Sequence, residues 1–145
     1  MLRANVKTST SANGNIMRRF VDEVINSKCL EVIDEIVHPD YVYRTPEQEL
    51  HGRQALKALF TTFHTAFPDL NVRIDELIST DDKVVLLFTL TGTHQTEFMG
   101  IPATGKPVNI NGMLRSRFDA GQIIEEWELL DQLSMLQQLD IVPVN

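Results

Sequence analysis

The chain has little of what marks several large protein classes. Of 145 residues one is cysteine, Cys29, so no disulfide forms within the chain and nothing points to an oxidising compartment. Its neighbours are helical apolar patterns, and a small core hydrophobe is the expected role. No run approaches 18 apolar residues, which leaves no candidate span for a membrane. Residues 1–15 lack an apolar segment of the kind a secretory signal needs. Basic residues number 13 against 20 acidic ones, and they are scattered. The net charge of -7 and the missing basic run exclude a phosphate backbone or anionic lipid as the expected partner. Phosphate-binding glycine loops, the H-E-x-x-H pattern, Cys/His zinc spacing and the Gly-x-Ser-x-Gly elbow are all absent. The cytoplasm is the expected location.

What is present suits one globular domain. Apolar residues make up 43% and charged residues 23%, and a chain of this length buries about 70% of its unfolded surface. Residues 1–12 carry Thr8, Ser9, Thr10 and Ser11 without apolar period and are expected to form a flexible arm. Residues 13–145 are expected to form one domain.

Period then assigns the elements. Ile16, Met17, Phe20, Val21, Val24 and Ile25 make the stripe of a first helix. Leu30, Ile33, Ile36 and Val37 continue a second, which His38-Pro39 stops. Tyr41 to Tyr43 reads as a short strand. Leu56, Leu59, Phe60 and Phe63 mark a third helix between Gly52 and Phe67-Pro68. From Leu70 the period falls to two. Strands are expected from Leu70, over Val84 to Thr91, from Val108 to Phe118 and from Ile123 to Leu130. The loop from Thr93 to Lys106 holds Gly100, Pro102 and Gly105, and a lid is one reading of it. Asp119-Ala120-Gly121 turns a hairpin. Leu133, Leu136 and Leu139 suggest a terminal helix. Three helices before a sheet of hairpins predict an α+β fold with a mostly antiparallel sheet.

Four segments in order carry a family resemblance. The run T-G-T-H-Q-T-E-F-M-G-I-P-A-T-G-K from Thr91 to Lys106 resembles a loop of SnoaL-like polyketide cyclases. A-F-P-D-L from Ala66 to Leu70 resembles their helix-to-strand junction. G-Q-I-I-E-E-W-E-L-L-D-Q-L-S-M-L-Q-Q-L from Gly121 to Leu139 resembles their last strand and final helix, and His51-Gly52 fits before the third helix. The resemblance spans roughly residues 15–140. It implies the nuclear transport factor 2-like fold: a curved, cone-shaped sheet and N-terminal helices enclosing a pocket. It also implies dimers or tetramers, a small apolar or aromatic ligand, no metal or organic cofactor, and aldol ring closure by a carboxylate on the last strand. The same scaffold suits two other readings: a non-catalytic module that binds a small molecule or a protein partner, and a hydrolase or isomerase.

Residues able to carry that chemistry are few. Proton removal beside a carbonyl needs a base whose affinity burial has raised. It also needs a donor for the developing oxyanion. Glu126 and Glu128, two apart on a strand, share a face. Ile123, Glu125, Trp127 and Leu129 are expected on the other. The resemblance singles out Glu128, where the cyclases carry aspartate; many relatives have histidine where Glu126 stands. The alternative for both is a solvated sheet face. Asp131 matches a family aspartate and equally suits a helix N-cap. His94, in the best-matched segment, reads as a substrate donor or as a hydrogen-bonded structural residue. His51 and His64 are candidates for the pocket wall, as are Tyr41, Phe60, Phe63, Phe67, Phe88 and Met113. Each has a bland reading as core or helix-end residue. Tyr43 and Trp127 carry a polar handle and suit a pocket better.

Overall fold

The computed structural model of the protein describes residues 12–144. The arm expected over residues 1–12 thus lies outside the described residues, except for Ala12, which begins the first helix.

Helix α1 spans residues 12–26. Its second half, Phe20–Asn26, is wound as a π-helix. The wider turn carries Phe20, Val21, Val24 and Ile25 inward together. Helix α2 opens as a 3-10 turn at Leu30–Val32 and runs on through Ile33–Ile36. Cys29 just before it is half-buried, with its Sγ near the Ser27 carbonyl, a helix-junction position and not the core one expected. Strand β1, Val37–Arg44, begins where the sequence suggested a helix end. His38-Pro39 sits inside this strand, beside an irregularity in its pairing between Val37 and Val42. Proline lacks the N–H that a regular ladder uses, so it belongs at such a break. β2, Glu49–His51, returns as a short hairpin partner.

Helix α3, Arg53–Ala66, starts after Gly52, whose φ of 88° suits glycine alone at that junction. β3 (Asn71–Ser79), β4 (Lys83–Thr93), β5 (Pro107–Asp119) and β6 (Gln122–Leu130) follow, and α4, Gln132–Gln138, ends the fold. The sheet order is β2-β1-β6-β5-β4-β3. Only β1 against β6 is parallel, so the expected mostly antiparallel sheet is what forms. The β5–β6 turn is Ala120-Gly121, both at positive φ (50° and 78°), as a two-residue type I′ hairpin requires.

Along β4 and β5 the even-numbered residues point inward: Val84, Leu86, Phe88 and Leu90, then Val108, Ile110, Leu114 and Phe118. α1 and α3 lie across this concave face, giving the expected α+β cone. Bulges bend the sheet at Ile74/Glu76 and opposite Arg117/Phe118. Gly112 faces inward beneath Phe88 and Leu130; a Cβ there would lie 2.3 Å from the Phe88 ring and 2.8 Å from Leu130. The missing side chain lets the Phe88 ring lie close over the sheet. Among the described residues no helix is long and apolar enough to cross a membrane.

Candidate active site

The hollow between α1, α3 and the sheet has two parts. The inner one is walled by Phe20, Val21, Phe60, Leu86, Phe88 and Leu114, with Tyr43, Glu126 and Glu128 as its polar groups. Its free volume is about 50 Å³, room for water or a small substituent only. The outer part, about 380 Å³, is of ligand size. It opens past Thr45, Glu47, Gln48, Met99 and Gln132. Leu59, Phe60 and Phe63 on α3 keep accessible surface because they face this hollow. Tyr43 and Glu128 line both parts; Glu126 lines the inner one alone.

Two strands build the polar end. The parallel pairing of β1 with β6 sets Tyr43 beside Glu126 in register. Period two then puts Tyr41 with Tyr43, and Glu126 with Glu128, on the inner face. Tyr41 Oη donates to Glu126 Oε1 at 2.6 Å, and Ser116 Oγ on β5 donates to Oε2 at 2.5 Å. Glu126 is 1% exposed. Tyr43 Oη donates to Glu128 Oε1. No described residue hydrogen-bonds Glu128 Oε2. Glu128 is enclosed by protein atoms yet keeps some surface open to the hollow.

Burial decides the proton affinities. Desolvation pushes Glu126 up from 4.5 to about 7, against the hydrogen bonds of Ser116 and Tyr41; the nearby Glu128 charge adds to the rise, and Arg115 opposes it. Desolvation also raises Glu128, against its bond from Tyr43. Both phenols are raised by burial and by the carboxylates they touch, so they stay protonated donors. Two carboxyls in one apolar hollow with raised affinity can hold an acid and a base side by side.

The other sequence candidates lie elsewhere. Phe60, Phe88 and Tyr43 do line the hollow. His51 is exposed in β2 with its ring on Glu49, because its strand pairs at the sheet edge. His64 points off α3 to the Ile25 carbonyl, 2.8 Å away, and stacks on Phe60; burial lowers its pKa. His94 is 0% exposed. Its Nδ1 meets Thr104 Oγ1 at 3.0 Å, its ring stacks on Phe67, and its Nε2 has no partner among the described residues. The histidine therefore braces the loop beyond β4, and the Phe67 and Phe98 rings stand at the wall of the hollow instead. Asp131 is the α4 N-cap, accepting from the Ser134 N–H at 3.1 Å, and it lines neither part of the hollow. Met113 and Trp127 are 50% and 42% exposed on the outer sheet face, as odd-numbered residues of β5 and β6. The expected face of Ile123 also changes. Phe118 pairs with Ile123 and Arg117 with Glu125, so Ile124 is an extra residue. That bulge returns Ile123 to the same buried side as Glu126.

Tyr41, expected at the pocket wall, lines neither part of the hollow; it stands behind Glu126 and, with Ser116, completes the polar cluster. A tyrosine two before Tyr43, and a serine among inward-facing apolar residues of β5, were the available signals for that cluster.

Among known proteins, the sequence profile of the SnoaL-like polyketide cyclases matches residues 15–139. No curated protein matches. A solved putative hydroxylase, AclR from Streptomyces galilaeus, is 28% identical with a TM-score of 0.83, over 92% of this chain and 99% of its own. IdmH, a putative polyketide cyclase from Streptomyces antibioticus, is 29% identical at a TM-score of 0.77, over 88% and 98%. A putative polyketide cyclase from Acidithiobacillus ferrooxidans is 28% identical at 0.78, over 89% and 94%.

Proposed function

The chain belongs to the SnoaL-like polyketide cyclase family, and from that membership we propose that it is a cofactor-independent acid/base enzyme closing a ring in a small apolar carbonyl compound. The observation that carries the reading is Glu128: a carboxylate with one unengaged oxygen, where the roomy outer hollow meets the apolar inner one. Glu128 Oε2 takes a proton from the carbon beside a carbonyl. The electron pair of that C–H bond moves to the carbonyl oxygen as an enolate. The enolate carbon attacks a second carbonyl of the same molecule, forming the C–C bond, and the resulting alkoxide takes the proton back from Glu128. Glu126, with both oxygens engaged and its affinity raised in part by the Glu128 charge, does not touch substrate. Asp131 and His94 serve as helix cap and loop brace in this reading.

The test is Glu128→Gln, assayed with a panel of aromatic keto esters whose cyclisation is followed by absorbance. The variant folds, with an unchanged circular dichroism spectrum, and its turnover falls by about 10²- to 10⁴-fold. Turnover at the wild-type rate in the folded variant rejects the role.

The outer sheet face supports a homo-oligomer. Met113 and Leu129 pair across β5 and β6 with Trp127 beside them, all about half exposed. Glu125 among Arg44, Arg115 and Arg117 gives the flank both signs of charge, which suits a self-complementary contact between two copies.

A further inference from the structure

An enolate formed beside Glu128 needs stabilisation, and the described residues around the hollow supply no cation. Among the described residues no lysine, arginine or histidine lines either part of it. Among the described residues, the polar side chains of the inner part are Tyr43, Glu126 and Glu128 alone. Thr45, Gln48, Thr62 and Gln132 line only the outer part. Glu126 already engages Tyr41 and Ser116 through its two oxygens, and Tyr41 lines neither part. One neutral donor therefore stands beside the base and opens to both parts: the Tyr43 hydroxyl.

We propose that Tyr43 is a second catalytic residue, whose hydroxyl leaves Glu128 Oε1 and donates to the enolate oxygen of an enolisable carbonyl substrate. The proposal rests on Glu128 being the base and adds to it. In the anionic form that acts as base, Glu128 is solvated by the phenol, which donates to its Oε1. As Glu128 Oε2 takes the carbon-bound proton, its charge passes to the substrate oxygen. A hydrogen bond to a neutral carboxyl is weaker than one to an anion. The donor thus follows the charge to the enolate, with no proton leaving the phenol. Burial holds Tyr43 in its protonated form throughout. The hydroxyl is already desolvated and aimed from a β-strand, so it needs little reorganisation when charge appears. The site this describes is for neutral ketones or ketoesters that bring their oxygen to the mouth of the inner hollow.

The test uses 2-naphthol, whose ionised form mimics an enolate and fluoresces differently from the neutral one. Glu128→Gln presents an uncharged amide in place of the protonated base. At pH 8 this variant binds 2-naphthol more tightly than the wild type and holds a larger share of it ionised. Adding Tyr43→Phe weakens binding roughly 10- to 100-fold, as loss of a hydrogen bond to a charged group does. It also returns the bound probe to its neutral emission, a readout that simple loss of packing does not move. Thermal midpoints check that both variants fold. Equal affinity and equal ionised fraction with and without the Tyr43 hydroxyl overturn the proposal, as does failure of Glu128→Gln to bind the probe. Undiminished turnover in Glu128→Gln instead rejects the base, so the two failures are told apart.

Discussion

Replacing Glu126 by glutamine should flatten the dependence of stability on pH. Below pH 4.5 the group is protonated both in the folded chain and in the unfolded one. Between 4.5 and about 7 the folded chain keeps a proton that the unfolded chain releases. Stability is therefore full below the lower value and is lost as pH rises through the higher one. A rise from 4.5 to about 7 is worth about 3 kcal/mol at 1.36 kcal/mol per pH unit. That is a large part of the ~5–15 kcal/mol that holds a domain of this size folded. The amide of Glu126→Gln has no proton to lose, so its share of the slope vanishes. Glu128, raised in the same sense, leaves a residual slope in the variant. Asp69 and Asp75, lowered by hydrogen bonds from Thr93 and Thr89, act the other way and lose their contribution as the solution becomes more acid. Urea unfolding at half-unit steps from pH 4.5 to 8.5, run on both proteins, measures the difference directly. A variant whose stability falls with pH as steeply as the wild type refutes the assignment of a raised affinity to Glu126.

Three further substitutions probe the frame around the site. Gly112→Ala drives a methyl into Phe88 and Leu130 and should cost about 1–3 kcal/mol by overpacking; an unchanged thermal midpoint would contradict that packing. Asp131→Ala removes the α4 cap and should cost about 1 kcal/mol with turnover retained; loss of turnover with stability intact would return Asp131 to the catalytic set. Leu129→Glu puts charge on the half-exposed outer face and should convert an oligomer to monomers in sedimentation without unfolding them; an unchanged sedimentation coefficient rejects that face as the contact.

Much of this architecture follows from side-chain period. The helical stripes at Phe20 and Leu56, the alternation from Val108 to Phe118 and the Ala120-Gly121 turn are local signals, and they persist because burial reinforces them. Sequence and structure part where tertiary pairing overrides a local cue. His38-Pro39 reads as a helix stop, yet the chain continues there as a strand, because β6 offers a parallel edge to Val37 and to Val42–Arg44. Strict alternation sends Ile123 to the wrong face because it ignores the extra residue at Ile124. Trp127 and Met113 carry pocket-like chemistry, but parity on their strands sends them outward. Parity was enough to put Glu126 and Glu128 on one face. It was not enough to show that Tyr41, Tyr43 and Ser116 converge on them. That convergence depends on the register of β1 and β5 against β6, which composition and spacing within one segment do not encode.

Carboxyl-carbon NMR on protein labelled with ¹³C at glutamate, with the two signals assigned through Glu126→Gln and Glu128→Gln, reads the proton affinities on which the chemistry rests. Glu126 should titrate at about 7 and Glu128 above the ordinary glutamate range. Midpoints near 4.5 for both would mean that water reaches these side chains freely, and the acid/base account would be contradicted.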